Sequence, residues 1–172
     1  MEALDELQEH SHHASDGFDR RVAVTMAVIA AGLAVVSVLG HIESTEELLN
    51  QQRASDQWAF YQAKAIRRYQ SEVARDVLLG LGKSEAARQY ARNMERYQKE
   101  SDEVQDKAKE FQSESDLAGR KALRLHLGEV FLEIAIVFAS LAILTKRTVL
   151  WMTAIGSALI GVATAATELL VK

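Results

Sequence analysis

The sequence predicts an all-α chain: three transmembrane helices plus a long extramembrane antiparallel coiled-coil hairpin. Three observations predict it. The 172 residues include no Pro, where average usage would supply about 8, so connections must be short and helices long. Three apolar runs each match the ~30 Å thickness of a hydrocarbon core at ~1.5 Å per residue. Between the first and second runs, a heptad repeat crosses a charged segment.

Composition narrows the function classes. Hydrophobic residues make up 48% and charged residues 26%, and the two kinds occupy separate blocks. A net charge of -4 gives nucleic-acid binding no electrostatic support. No Cys is present, which excludes disulfides, thiol nucleophiles and thiolate metal sites.

Residues 1–21 have no apolar period and read as a flexible, acidic, His-bearing tail. His10, His12 and His13 lie there among Asp5, Glu6, Glu9 and Asp16. Such a cluster can hold a divalent ion loosely, but no fixed backbone supports it. No metal site and no cofactor are expected.

Residues 22–40 form the first expected span, opening with "VAVTMAVIAAGLAVVSVL", which carries no charge. It is too long for a signal-peptide core and lacks a cleavage pattern. Ala27, Ala30, Ala31 and Ala34 offer a small-residue face for close helix approach. Gly40 is expected to end this helix. "STEE" at 44–47 is expected to cap a new one, with Ser44 as N-cap and Glu47 three residues on.

Residues 41–126 form the expected extramembrane hairpin, with 15 basic and 15 acidic residues in balance, as on solvated helices. Gly80 and Gly82 mark the turn near 80–83, and Ser84 is expected to cap the return helix. On that helix Ala87, Tyr90, Met94, Tyr97, Ser101, Val104, Ala108, Phe111, Ser115, Ala118, Ala122 and Leu125 recur at alternating steps of three and four. This pattern argues for coiled-coil packing against the outgoing helix. About 36 residues at ~1.5 Å each would carry the hairpin ~55 Å from the bilayer.

"QWAFYQAKAIRRYQ", 57–70, places Trp58, Phe60 and Tyr61 in this charged setting. Trp58 lies ~21 Å beyond the start of the hairpin, too far for an interfacial aromatic belt. Each residue advances ~100 degrees, so the three rings point around the helix. One partner helix covers one side only. The three are therefore an expected contact between copies. The plainer alternative leaves Trp58 and Tyr61 flanking the seam and Phe60 in water.

Residues 127–145 and 148–171 are the second and third expected spans, joined by Lys146 and Arg147. Ser157, Gly161 and Ala165 form a small-residue stripe on the third, suited to packing within one subunit or between two. Glu129 and Glu133 are i and i+4 on the second span, and Glu168 lies near the end of the third. Antiparallel packing would bring these carboxylates to one side of the bilayer. Ionisable groups within spans cost about 2.5–3.5 kcal/mol at the centre and often line an ion path. Glu129 and Glu168 lie within reach of headgroups. Glu133 is ~9 Å deeper, suited to an ion path or to a hydrogen bond with Thr164 or Thr167. "LGLGKS" lacks the spacing of a phosphate loop, and no nucleophile–base–acid set is legible, so an enzyme is not expected.

Arg20 and Arg21 precede the first span and Lys146 and Arg147 follow the second; Arg53, Arg120, Lys121 and Arg124 flank the other side. The short segments favour an inside N-terminus and a periplasmic hairpin. "GHIESTEELL", "ASDQWAFYQAKAIR", "LGEVFLEIAIVFASLAIL" and "KRTVLW" together resemble a bacterial family of three-pass membrane proteins known as domain-of-unknown-function family 4337. The resemblance implies residence in the bacterial inner (cytoplasmic) membrane and carries no catalytic residues. The expected function is a non-enzymatic homo-oligomer whose hairpins form a stalk or cage, its partners being copies of itself and the lipid bilayer. The alternatives are an ion or proton channel using the carboxylates, and an adaptor recruiting another protein through the coiled coil.

Overall fold

The computed structural model describes the backbone of residues 2–171 and the side chains of residues 17–171. Three α-helices follow in order, α1 (Glu2–Gly80), α2 (Ser84–Thr145) and α3 (Thr148–Ala166), and a short 3-10 turn (Thr167–Leu170) closes the chain. Each of the three contains a segment long and apolar enough to cross a membrane. The loose metal site suggested by His10, His12 and His13 lies outside the described side chains.

The expected break at Gly40 is corrected: α1 is continuous through Gly40, Ser44 and Glu47. The capping-box pattern is short enough to occur inside a helix, and here Ser44 spends its hydroxyl elsewhere. At Gly40 a side chain would stand 3.3 Å from the His126 ring, so smallness there serves packing rather than termination. Helix also includes Gly17–Arg21, placed with the tail on sequence grounds, and Phe18 meets Trp151 edge-on at 6.1 Å.

The α1–α2 turn forms as expected at the glycines. Lys83 N–H donates to the Leu78 carbonyl at 2.9 Å and Gly82 N–H to Leu79 at 3.0 Å. This pairing satisfies the last carbonyls of the helix in a Schellman arrangement. Gly82 adopts φ +74, a left-handed conformation that costs other residues about 1 kcal/mol or more. Ser84 is the first residue of α2 rather than its cap; the Lys83 carbonyl accepts from Ala87 N–H. The α2–α3 turn uses Lys146 at φ 54, followed by extended Arg147.

The described chain divides into two compact units. One holds residues up to Ser44 and from Gly119; the other is Thr45–Ala118. In the second unit, α1 and α2 run antiparallel. Ser115 donates to the Glu47 carbonyl at 3.0 Å, Arg53 lies over the Phe111 ring, Lys64 pairs with Glu100, and Arg68 binds Gln98. Ala87, Ser101, Ala108, Ser115 and Ala118, all in the heptad series, are buried. The opposing seam is largely polar: Asn50, Ala54 and Ser71 are its buried members. Lys64 and Arg68 are half-buried beside them, as are Gln57, Trp58 and Tyr61.

The first unit packs all three helices around small side chains. One cluster gathers Ile29, Val36, Leu125, Leu132, Ala135, Ala158 and Ala165; another gathers Val22, Ala139, Ala142 and Ala154. The inward face of α1 is thus Val22, Ile29 and Val36, seven apart. Ala27, Ala30, Ala31 and Ala34 are exposed on the other side.

Candidate functional site

Four polar residues meet in the first unit where α1 passes α2. Ser44 Oγ lies 3.1 Å from His126 Nε2, and His126 Nδ1 lies 3.1 Å from Glu129 Oε2. Ser37, seven residues before Ser44 on α1, lies near the same Glu129 carboxylate. The ring lies against Gly40 and is threaded between two helices. With Nδ1–H donated to Glu129, Nε2 accepts from the Ser44 hydroxyl, so the pair of contacts selects one tautomer.

This connectivity is that of a nucleophile, base and acid. Acyl transfer needs main-chain or side-chain donors aimed at a developing oxyanion. Here Ser44 lies deep inside α1, where backbone N–H groups are committed to carbonyls four residues back. The arrangement serves as a polar clasp holding two helices in register.

The close crossing of α2 and α3 lies just beyond the clasp. A Cβ on Gly128 would meet the Gly161 carbonyl oxygen at 2.7 Å and Ala165 Cβ at 2.8 Å. A Cβ on Gly161 would meet the Gly128 carbonyl oxygen at 2.8 Å. Four residues before Gly161, Ser157 donates to the Phe131 carbonyl at 2.7 Å. The stripe of Ser157, Gly161 and Ala165 therefore contacts α2 of the same chain. Gly128 is its counterpart, and nothing in the local sequence pattern singled it out.

The three carboxylates of the sequence reading are not joined. Glu129 belongs to the clasp. Glu133 is exposed on α2 and has no hydrogen bond or ion pair among the described residues; Thr164 donates to the Ile160 carbonyl and Thr167 to Thr164 instead. Glu168 is half-buried in the terminal 3-10 turn. No group of three or more potential metal ligands occurs among the described residues.

In the second unit Trp58 and Tyr61 are half-buried and meet edge-to-face at 5.6 Å. Phe60 is 57% exposed. Further along α1, Ile66, Tyr69, Val73 and Val77 are also exposed, an apolar stripe that the aromatic block had overshadowed in the sequence.

A model of a protein family, Domain of unknown function (DUF4337), matches residues 18–171. The chain belongs to this family. The DUF4337 region includes the clasp, the glycine crossing and the aromatic block, and begins after the His-bearing segment. No curated protein and no solved structure matches the chain.

Proposed function

We propose that this DUF4337 protein is a non-enzymatic, homo-oligomeric membrane protein that crosses the bilayer three times, with Thr45–Ala118 as a hairpin outside it. The observation that carries this reading is unburied apolar surface. In the most apolar segment of each helix, only 11% of α1, 28% of α2 and 17% of α3 is buried by the chain itself. Val24, Val28, Val35, Val137, Leu144, Val149 and Leu159 are among the exposed side chains. Each would gain roughly 1.5–3 kcal/mol on leaving water, which a hydrocarbon medium provides.

Oligomerisation rests on what lipid does not cover. Phe60, Ile66, Tyr69, Val73 and Val77 lie on the charged hairpin, where a neighbouring copy would hide them. Size analysis in detergent tests this: Trp58→Ala with Phe60→Ala should weaken assembly, and an unchanged oligomer would overturn it. Glu133 favours a second reading as an ion or proton channel, because an unpaired carboxylate on an apolar helix calls for cover by another copy or by a water path. Cation flux into proteoliposomes that vanishes with Glu133→Gln would favour the channel. An intact oligomer without flux would favour the scaffold, and a defined co-purifying protein the adaptor.

A further inference from the structure

Two grooves of the first unit run into one another at Val24 and Thr25 of α1. One, of about 460 Å³, lies between α1 and α3 over α2, with Val24, Val28 and Ile29 on one wall, Ile155 and Leu159 on the other and Leu132 beneath. Apart from Thr25, every residue lining it is apolar. The other, of about 510 Å³, shares Val24 and Thr25 and opens between Arg20, Arg21 and Trp151. An apolar slot thus leads into a cationic mouth.

The mouth is held in shape by contacts already made. Trp151 Nε1 donates to Thr25 Oγ1 at 3.2 Å, and Thr25 donates onward to the Arg21 carbonyl at 2.9 Å. Phe18 braces the indole edge-on. Lys146 pairs with Asp19, so the one acid among the described residues of this end is engaged. Neither Arg20 nor Arg21 has an ion pair among the described residues.

We infer that this composite groove is a binding site for an anionic phospholipid, with an acyl chain in the apolar slot and the phosphate on Arg20 and Arg21. Guanidinium groups bind phosphate oxygens in a bidentate fashion, and an indole is favoured at headgroup level. Val24 to Gly32 extends the slot ~12 Å into the hydrocarbon depth, which suits an acyl chain and not a free phosphate. Among the described residues of this end, a second copy would bring only Asp19, already paired with Lys146, to the two guanidiniums. The inference rests on the membrane reading above.

The protein has two Trp residues, so Trp58→Phe in the full chain leaves Trp151 as the only indole reporter. That chain, in phosphatidylcholine vesicles, is titrated with chain-brominated phosphatidylglycerol or chain-brominated phosphatidylcholine, and Trp151 quenching is followed. Half-maximal quenching is expected at a mole fraction at least about fivefold lower for the anionic lipid, since each cation near the surface contributes about that factor. Arg20→Gln with Arg21→Gln should abolish the difference. Gly32→Leu should fill the slot, where nothing lies within 4 Å of an added Cβ, and raise the required fraction of both lipids. Equal quenching by both lipids in the unaltered groove overturns the lipid site and leaves the membrane reading standing. An indole shielded from both overturns the lipid site and removes its support from the membrane reading. The lipid comparison needs no groove variant, so a misfolded double variant does not rescue the idea.

Discussion

Gly128 and Gly161 set the tightest constraint at the scale of single residues. Adding one methyl at either meets a backbone carbonyl oxygen of the other helix at 2.7–2.8 Å, and backbone cannot swing aside as a side-chain tip can. Gly128→Ala and Gly161→Ala should each destabilise the fold by about 1–3 kcal/mol, the usual range for overpacking. Gly156→Ala, where nothing lies within 4 Å, is the control and should be near neutral; thermal unfolding in detergent separates them. His126→Ala should cost about 1–3 kcal/mol in the same assay, because Ser44 and Glu129 lose their shared partner. The small-residue stripe on α3, Ser157, Gly161 and Ala165, was legible from sequence because its members recur at a spacing of four. Gly128 was not, since a single glycine has no period. Ser44 was read as a cap for a related reason: a four-residue motif does not reveal whether its hydroxyl turns to its own backbone or to a ring 82 positions away.

Among elements, the return helix was far more legible than the outgoing one. Along α2 the heptad residues are small, aliphatic or aromatic, from Ala87 and Tyr90 to Ala122 and Leu125, and their period shows against charged neighbours. Along α1 the matching seam uses Asn50, Lys64, Arg68 and Ser71, residues that read as surface. In the apolar part of α1, Val22, Ile29 and Val36 pack inward, while Ala27, Ala30, Ala31 and Ala34 stay exposed on the single chain. The polar seam makes the hairpin sensitive to acid. Donation from Lys64 holds the Glu100 carboxyl below its ordinary value of 4.5, against a smaller opposing effect of burial. A depressed folded value means the contribution is fully present above the unfolded value and is lost as pH falls through the folded one. Unfolding temperature should therefore drop below pH about 4.5, and Glu100→Gln should make that drop smaller. An identical acid profile in the variant would show that this pair is not responsible. At the turn, Gly82→Ala should destabilise by about 1 kcal/mol through its left-handed backbone, again by thermal unfolding.

For the molecule as a whole, the decisive quantity is apolar surface that the chain does not hide from its surroundings. Three helices with most of their apolar segments uncovered are compatible with a hydrocarbon medium, and the proposed three crossings would sort the charged residues to its two sides. On that proposal Arg20, Arg21, Lys146 and Arg147 would lie at one margin of the bilayer. The absence of Cys makes this directly measurable by placing single cysteines and treating sealed vesicles with a membrane-impermeant maleimide. Leu81→Cys, at an exposed position of the hairpin turn, and Arg147→Cys, at the short turn, should label from opposite faces of the membrane, while Val35→Cys should stay unlabelled. Labelling of Leu81→Cys and Arg147→Cys from the same face, or ready labelling of Val35→Cys, would contradict the three-crossing account.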